Sequence, residues 1–387
     1  MNQSDLARNS SMLQGSLAKR GYMRWWHSFS GTQPESGKVR TFFVEFFIIN
    51  PRLGANTPIL GQHPYFKKKG MKPSYVMVKA GVFPDTEGNG SRQLHAFYPV
   101  SALRATDNPL VMHLEGHPEA HCRAGHCFYS EDKLTGFVEV TREEARHRSY
   151  MTDSGFMEWN LEIRKAVACH TGKRCGKFFQ VLNILDSYWH GEGIRSFFRG
   201  SVTLDGVTYE VLPESSYGYA DKHWGRSFNS PWFQFACGKL NSLRAGQELR
   251  HSVLAVNVGC PRFLGFRLKE RLMLQLTYMG EDFEFNRCKW ETKENGKRYI
   301  WHIFAQNKKT AVKISGSCTR AEMLHLHYED PDGRRRKLPL LAGGGGIGTV
   351  QIFRKTDGVR ELIDTLNLGN ALCIYQDIPE RPIHMGE

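Results

Sequence analysis

The sequence predicts an all-β protein made of two antiparallel β-barrels. Three observations carry this. Apolar and polar residues alternate with a period of two through much of the chain, turn dipeptides fall between the alternating runs, and aromatic residues reach 12%, with 24 Phe, 14 Tyr and 8 Trp. A period of two marks a sheet with one buried face. Asp-Gly and Asn-Gly supply the positive φ that tight hairpins need. Aromatic side chains suit a pleated, half-buried surface. A length of 387 residues favours two domains over one. Hairpins in series close most simply into barrels, which leave no open edge.

Taken in order, the first twenty residues are polar and unpatterned and read as a loose arm. Order should begin at Tyr22-Met23-Arg24-Trp25-Trp26. Residues 74–82, 92–99, 137–141 and 159–164 are the strand candidates of the first half. The second half gives hairpins. Residues 202–204 and 207–211 flank Asp205-Gly206, and 272–278 meets 283–285 across Gly280-Glu281-Asp282. Residues 289–292 meet 298–303 across Asn295-Gly296, and 324–328 meets 337–338 across Asp330-Pro331-Asp332-Gly333. Val359, Leu362, Ile363 and Leu366 lie at helical spacing, yet they fit a strand plus turn equally well. Gly191, Gly193 and Gly200 cluster where a domain break is expected, giving an arm over 1–20, a first barrel over 21–195 and a second over 196–387.

Lys plus Arg total 52 and Asp plus Glu 39, a net charge of +13. Such a chain is drawn to anionic partners. The charge is scattered, however. The only runs, Lys67-Lys68-Lys69 and Arg334-Arg335-Arg336-Lys337, sit beside Gly or Pro and read as solvated loops. A nucleic-acid footprint would be clustered, so no nucleic-acid partner is expected. Nine Cys without a CxxC pair do not make a secreted disulfide framework. Residues 1–20 contain no apolar core of a signal peptide. The longest apolar stretch, 42–49, is broken by Glu45 and is too short to cross a bilayer. A soluble, reduced, cytoplasmic protein is the expectation.

Several clusters invite a chemical reading and do not hold it. His113, His117, His121, Cys122, His126 and Cys127 are zinc-type donors. A helix presenting the three histidines is opposed by Pro118, and Cys127 fits a core thiol, so no metal is expected. Gly343-Gly344-Gly345-Gly346-Ile347-Gly348 lacks the Lys of a phosphate-binding loop and reads as a flexible hairpin or a close strand crossing. No GxSxG elbow is present.

The segment Tyr217-Gly218-Tyr219-Ala220-Asp221-Lys222-His223-Trp224-Gly225-Arg226-Ser227-Phe228, followed by Pro231-Trp232-Phe233-Gln234-Phe235, is the most informative. In extended backbone Tyr219, Asp221 and His223 share one face. An acid among Tyr and Trp is partly desolvated, which disfavours its charged form and suits it to donate a proton. Aromatic faces can steady a developing carbocation. In the other reading Asp221 caps a turn and the aromatics are core.

This segment resembles the signature of the tocopherol cyclase family, Tyr-x-Glu-Lys-Asn/Asp-Trp-Gly, then Ser/Gly-Phe-Pro and an aromatic run with Gln. Here it stands as Tyr219 to Gly225, Ser227-Phe228 and Trp232-Phe233-Gln234. Residues 20–22, 38–51, 125–131 and 338–354 also look like parts of the family. The resemblance extends to carotenoid hydratases, two-domain lipocalin-like proteins and some fungal Diels–Alderases. It implies two lipocalin-like barrel domains, an apolar site, no cofactor and a small lipophilic substrate. It implies Asp221 as proton donor to an isoprenoid double bond, acting with Tyr219 and Trp224, and an upstream pair at Trp189 and His190. His223, Lys222, Trp232 and Gln234 would line the substrate. Three departures stand out: Asp221 in place of Glu, His223 in place of Asn or Asp, and Asn229 in place of Pro. The expected function is acid-catalysed cyclisation or hydration of a prenylated or polyunsaturated lipophile, an intramolecular lyase or isomerase reaction. The alternative is a carrier of such a ligand. Peripheral contact with an acidic membrane surface would follow from the charge.

Overall fold

The computed structural model describes residues 9–54, 56–124, 126–169, 187–228, 232–259, 262–263, 266–267, 269–285, 287–333, 338–357 and 359–376. The first sheet holds β1 (Tyr22–Thr32), β2 (Val39–Ile49), β3 (Tyr75–Val82), β4 (Arg92–Tyr98), β5 (Leu103–Thr106), β6 (Val111–Leu114) and β7 (Arg123–Ala124). It continues with β8 (Cys127–Ser130), β9 (Lys133–Val140), β10 (Gly155–Cys169), β11 (Ser187–Leu204), β12 (Val207–Val211) and β13 (Gly218–Gly225). The second sheet holds β14 (Trp232–Cys237), β15 (Lys239–Ser242), β16 (Gln247–Glu248) and β17 (Val253–Gly259). After the small hairpin of β18 (Arg262–Phe263) and β19 (Phe266–Arg267) come β20 (Arg271–Tyr278), β21 (Glu281–Glu284), β22 (Arg287–Glu294) and β23 (Arg298–Gln306). β24 (Thr310–Thr319), β25 (Leu324–Tyr328), β26 (Leu338–Thr356) and β27 (Val359–Gln376) complete it.

Both sheets are antiparallel and rolled. The first runs β4-β3-β2-β1-β12-β11-β10-β9-β8-β6-β5 and curls until β4 lies against β9. The second runs β21-β20-β17-β14-β27-β26-β24-β23-β22 and curls until β20 lies against β22. The chain is therefore all-β with two barrel-like antiparallel sheets. The predicted strands and hairpins are present. Leu204 pairs with Val207 across Asp205-Gly206, and Glu294 with Tyr299 across the Asn295-Gly296 turn. One turn is tighter than expected: Tyr278 pairs with Glu281, so Met279-Gly280 forms the turn, both at positive φ. The segment with helical spacing near the end is strand, part of β27, where Val359 and Leu362 face solvent and Leu366 is buried.

Two expectations fail. The cluster Gly191, Gly193, Gly200 lies inside the continuous strand β11, and the change of sheet comes later, between β13 and β14. These glycines serve close approach within the sheet. A Cβ on Gly193 would sit 2.1 Å from Ser196 Oγ at a bulge, and one on Gly200, at φ +141, would sit 2.0 Å from the Asn160 carbonyl oxygen. Residues 9–20 are not a loose arm either. Leu13 and Leu17 are buried in the first barrel core, and Trp25 Nε1 donates to Asn9 Oδ1 at 2.7 Å. Residues 1–8, the basic run 334–337 and Asn229 lie outside the described residues.

Three apolar cores result. One fills the first barrel, around Trp25, Phe29, Phe46, Trp159 and Trp224. Another fills the second, around Phe235, Trp301 and Ile314. The third lies between the sheets and joins Tyr22, Trp26, Phe43, Phe47 and Tyr75 to Trp232, Ala236, Tyr328 and Leu372. The glycine run of β26 touches this seam. A Cβ on Gly344 would sit 2.6 Å from Thr41 Cγ2 of the first sheet, which makes the run a close crossing.

Candidate active site

β1 and β13 pair directly, with Trp26 opposite Asp221 and Arg24 opposite His223. Pleating divides each strand. On β13, Tyr219, Asp221 and His223 turn to the seam, while Lys222 and Trp224 turn into the first barrel. On β11, Trp189 is opposite His223 and shares its side, and His190 is opposite Lys222. From the second sheet, β14 contributes Trp232 and Gln234, whose neighbours Phe233 and Phe235 belong to the other core.

Asp221 is wholly buried at this seam. Its Oδ2 accepts from Tyr219 OH at 2.7 Å, Trp189 Nε1 at 2.9 Å and Gln234 Nε2 at 3.2 Å. Gln234 Nε2 also bonds the Tyr219 hydroxyl. Oδ1 has no hydrogen-bond partner among the described residues. Every donor is a side chain and Asp221 sits mid-strand, so the turn-capping reading is wrong. Arg24 Nη2 lies 4.0 Å from Oδ2, and its guanidinium rests over the rings of Trp232 (5.0 Å) and Trp26 (5.6 Å).

Burial, reinforced by Asp221, pushes the Tyr219 hydroxyl well above its ordinary pKa. Burial, with Arg24 adding to it, holds His223 well below its own, so the ring stays neutral. His223 Nδ1 meets Tyr22 OH at 2.5 Å, and its ring centroid lies 4.7 Å from that of Trp232.

Six predicted residues are therefore brought together: Asp221, Tyr219, His223, Trp189, Trp232 and Gln234. Trp224, Lys222 and His190 are not among them. Lys222 Nζ donates to the Ser10 carbonyl and lies over Trp25 and Trp224, and burial lowers its pKa to about 7. The sequence reading missed Arg24, Glu45, Lys79 and Tyr328. The signal was present as a charge flanked by apolar residues in each of three strands, and Glu45 was noticed only as an interruption.

A cavity of about 20 Å³ touches Tyr219 and is walled by Ser28, Ser30, Thr41, Ala236 and Asn370 of both sheets. That is room for about one water. A wider groove of about 650 Å³ on the second sheet, lined by Lys289, His302, Phe304, Lys313 and Arg360, shares no residue with this site. The histidine and cysteine cluster is spread over strands and loops. His113 faces Glu115 at 3.5 Å, His121 meets Tyr150 OH, and Cys127 is buried. Among the described residues no three metal-type ligands converge.

Two solved structures resemble the chain over nearly its whole length. Kievitone hydratase from Nectria haematococca is 11% identical, with 96% of this chain and 95% of that one covered at a TM-score of 0.44. A protein of Nitrosomonas europaea assigned as AttH is 10% identical, with 92% and 93% covered at a TM-score of 0.43. No curated protein matches the chain. The family model described as tocopherol cyclase-like matches residues 138–334, just over half of the sequence and the part that carries Trp189, Tyr219, Asp221 and Gln234. The chain belongs to the tocopherol cyclase-like family.

Proposed function

We propose that the chain is an enzyme that protonates a carbon–carbon double bond of a prenylated or polyunsaturated lipophile. The proton leaves Asp221 Oδ1 and bonds to one alkene carbon through the π electrons. The cation on the other carbon is captured by an internal hydroxyl, which closes a ring, or by water. The proton lost from that oxygen returns to the Asp221 carboxylate.

The Asp221 carboxyl carries this reading: wholly buried, with three side-chain donors on Oδ2 and, among the described residues, no partner on Oδ1. An acid with its proton on Oδ1 accepts all three bonds on Oδ2 and keeps its proton free to leave. The seam is apolar and aromatic, and alkene protonation needs a dry setting because bulk water traps the cation. Trp189, Trp232 and Tyr219 offer ring faces to that cation. Arg24 Nε and Nη2, Trp232 Nε1 and Gln234 Oε1 are also buried without hydrogen-bond partners among the described residues. Buried polar groups are nearly always paired, so an unpaired set around one carboxyl supports a place where substrate groups dock.

The test is turnover of prenyl-quinol and polyene substrates by Asp221→Asn. Near-UV circular dichroism should be unchanged and turnover should fall about 100-fold or more. Full turnover by a folded Asp221→Asn protein would reject the proposal.

A further inference from the structure

Behind Asp221 stands a row of buried charges whose arrangement deepens the proposed function, and the inference rests on that reading. Arg24 Nη2 is 4.0 Å from Asp221 Oδ2. An unopposed guanidinium there would favour the ionised carboxyl and work against a transferable proton. Glu45 opposes it from the adjacent strand β2, with Oε1 3.7 Å from Arg24 Nη1. Tyr328 of the second sheet donates to Glu45 Oε2 at 2.7 Å and accepts from Arg24 Nη1 at 3.2 Å. Lys79 on β3 places Nζ 3.5 Å from Glu45 Oε2 and 3.1 Å from the His327 carbonyl oxygen. Arg24, Glu45, Lys79 and Asp221 are all fully buried.

The charge count is instructive. Arg24 and Glu45 cancel, which leaves Lys79 and Asp221. The row is neutral when both of these are charged and again when both are neutral. Burial lowers Lys79 to about 7, against the pull of Glu45. The other ionisable groups packed here are Tyr22 on β1, Tyr75 on β3, His95 on β4, Tyr219 and His223 on β13, and Tyr328 on β25. Burial raises the tyrosines and lowers the histidines, so all six are uncharged near neutral pH. Glu329 and Asp330 act on Tyr75 and Tyr22 from the loop that follows β25.

We propose that Glu45 is a positioning residue for Asp221: it balances Arg24 across the β1–β2 pair so that the guanidinium charge does not fall on the Asp221 carboxyl alone, and Lys79 completes the balance from the far side of Glu45. Removing the Glu45 charge leaves Arg24 unbalanced and lowers the proton affinity of Asp221. Removing the Lys79 charge leaves an ionised Asp221 without its balancing cation in the row and raises that affinity. Opposite signs from two variants of one row are not the signature of a merely structural role.

The experiment is a carboxyl ¹³C NMR titration of the full chain labelled at aspartate, the Asp221 signal being assigned by its loss in Asp221→Asn. Glu45→Gln should move the Asp221 midpoint down by about one pH unit or more, and Lys79→Met should move it up. The alkaline limb of the activity profile should follow in the same two directions. Midpoints that stay put, or that move the same way in both variants, overturn the proposal. If Glu45→Gln does not fold, Lys79→Met decides alone: a rise supports the proposal and no movement overturns it. Turnover retained by Asp221→Asn would defeat the enzyme reading separately, since the titration requires no substrate.

Discussion

The Asp221 carboxyl is fastened on one side and open on the other, and that asymmetry decides which neighbours matter. Tyr219 gives the shortest of the three bonds to Oδ2, at 2.7 Å. Tyr219→Phe removes that donor and leaves Trp189 and Gln234 in place. One such bond contributes about 1 to 1.5 kcal/mol, and if that much is lost from the transition state kcat should fall about tenfold, read from steady-state rates of the folded variant. Much of this site was legible in the sequence, because alternation along one strand puts Tyr219, Asp221 and His223 on one face once the segment is taken as extended. Trp224 and Lys222 were misplaced for the same reason, since neighbours in sequence point to opposite sides. Arg24, Glu45 and Lys79 could not be joined to Asp221 beforehand. Their association depends on the register of β1, β2, β3 and β13, which no local pattern states.

At the scale of elements, legibility followed exposure. β10 and β23 have solvent on one side and alternate cleanly between buried and less buried positions. β3, β13 and β14 are buried at every position, because one face fills a barrel and the other meets the opposite sheet. A strand covered on both faces shows no alternation, so the seam was invisible as a pattern. The glycines of β11 misled for a related reason: glycine marks close backbone approach inside a sheet as readily as it marks a break. Gly200→Ala tests this. The new methyl would meet the Asn160 carbonyl at 2.0 Å in a backbone of φ +141. Stability should fall by about 3 kcal/mol, measured by urea unfolding. A domain linker would tolerate the change.

For the whole molecule, the buried lysines set the pH dependence. Lys79 and Lys222 fall from an ordinary 10.5 to about 7 on folding, mainly through burial. Between those values the unfolded chain binds more protons than the folded one. Stability therefore rises with pH across that window, by about 1.4 kcal/mol per pH unit for each lysine. Above pH 10 it falls again, as tyrosines such as Tyr22 and Tyr328 ionise in the unfolded chain but not in the folded one. Lys79→Met should remove about half of the rise, seen in melting temperatures from pH 7 to 10. A flat wild-type profile would contradict it.

The same burial places Asp221 between two sheets rather than inside either barrel. The cavity beside it, about 20 Å³, is far smaller than a prenylated lipophile. In the proposed reaction Asp221 delivers a solvent-derived proton to carbon at this seam. The most direct test of this step is mass spectrometry of product formed in D₂O by the wild-type chain and by Asp221→Asn. One deuterium bonded to carbon is expected in the wild-type product, and product lower by about 100-fold or more from a folded Asp221→Asn chain. Product without carbon-bound deuterium, or equal turnover by the variant, would contradict it.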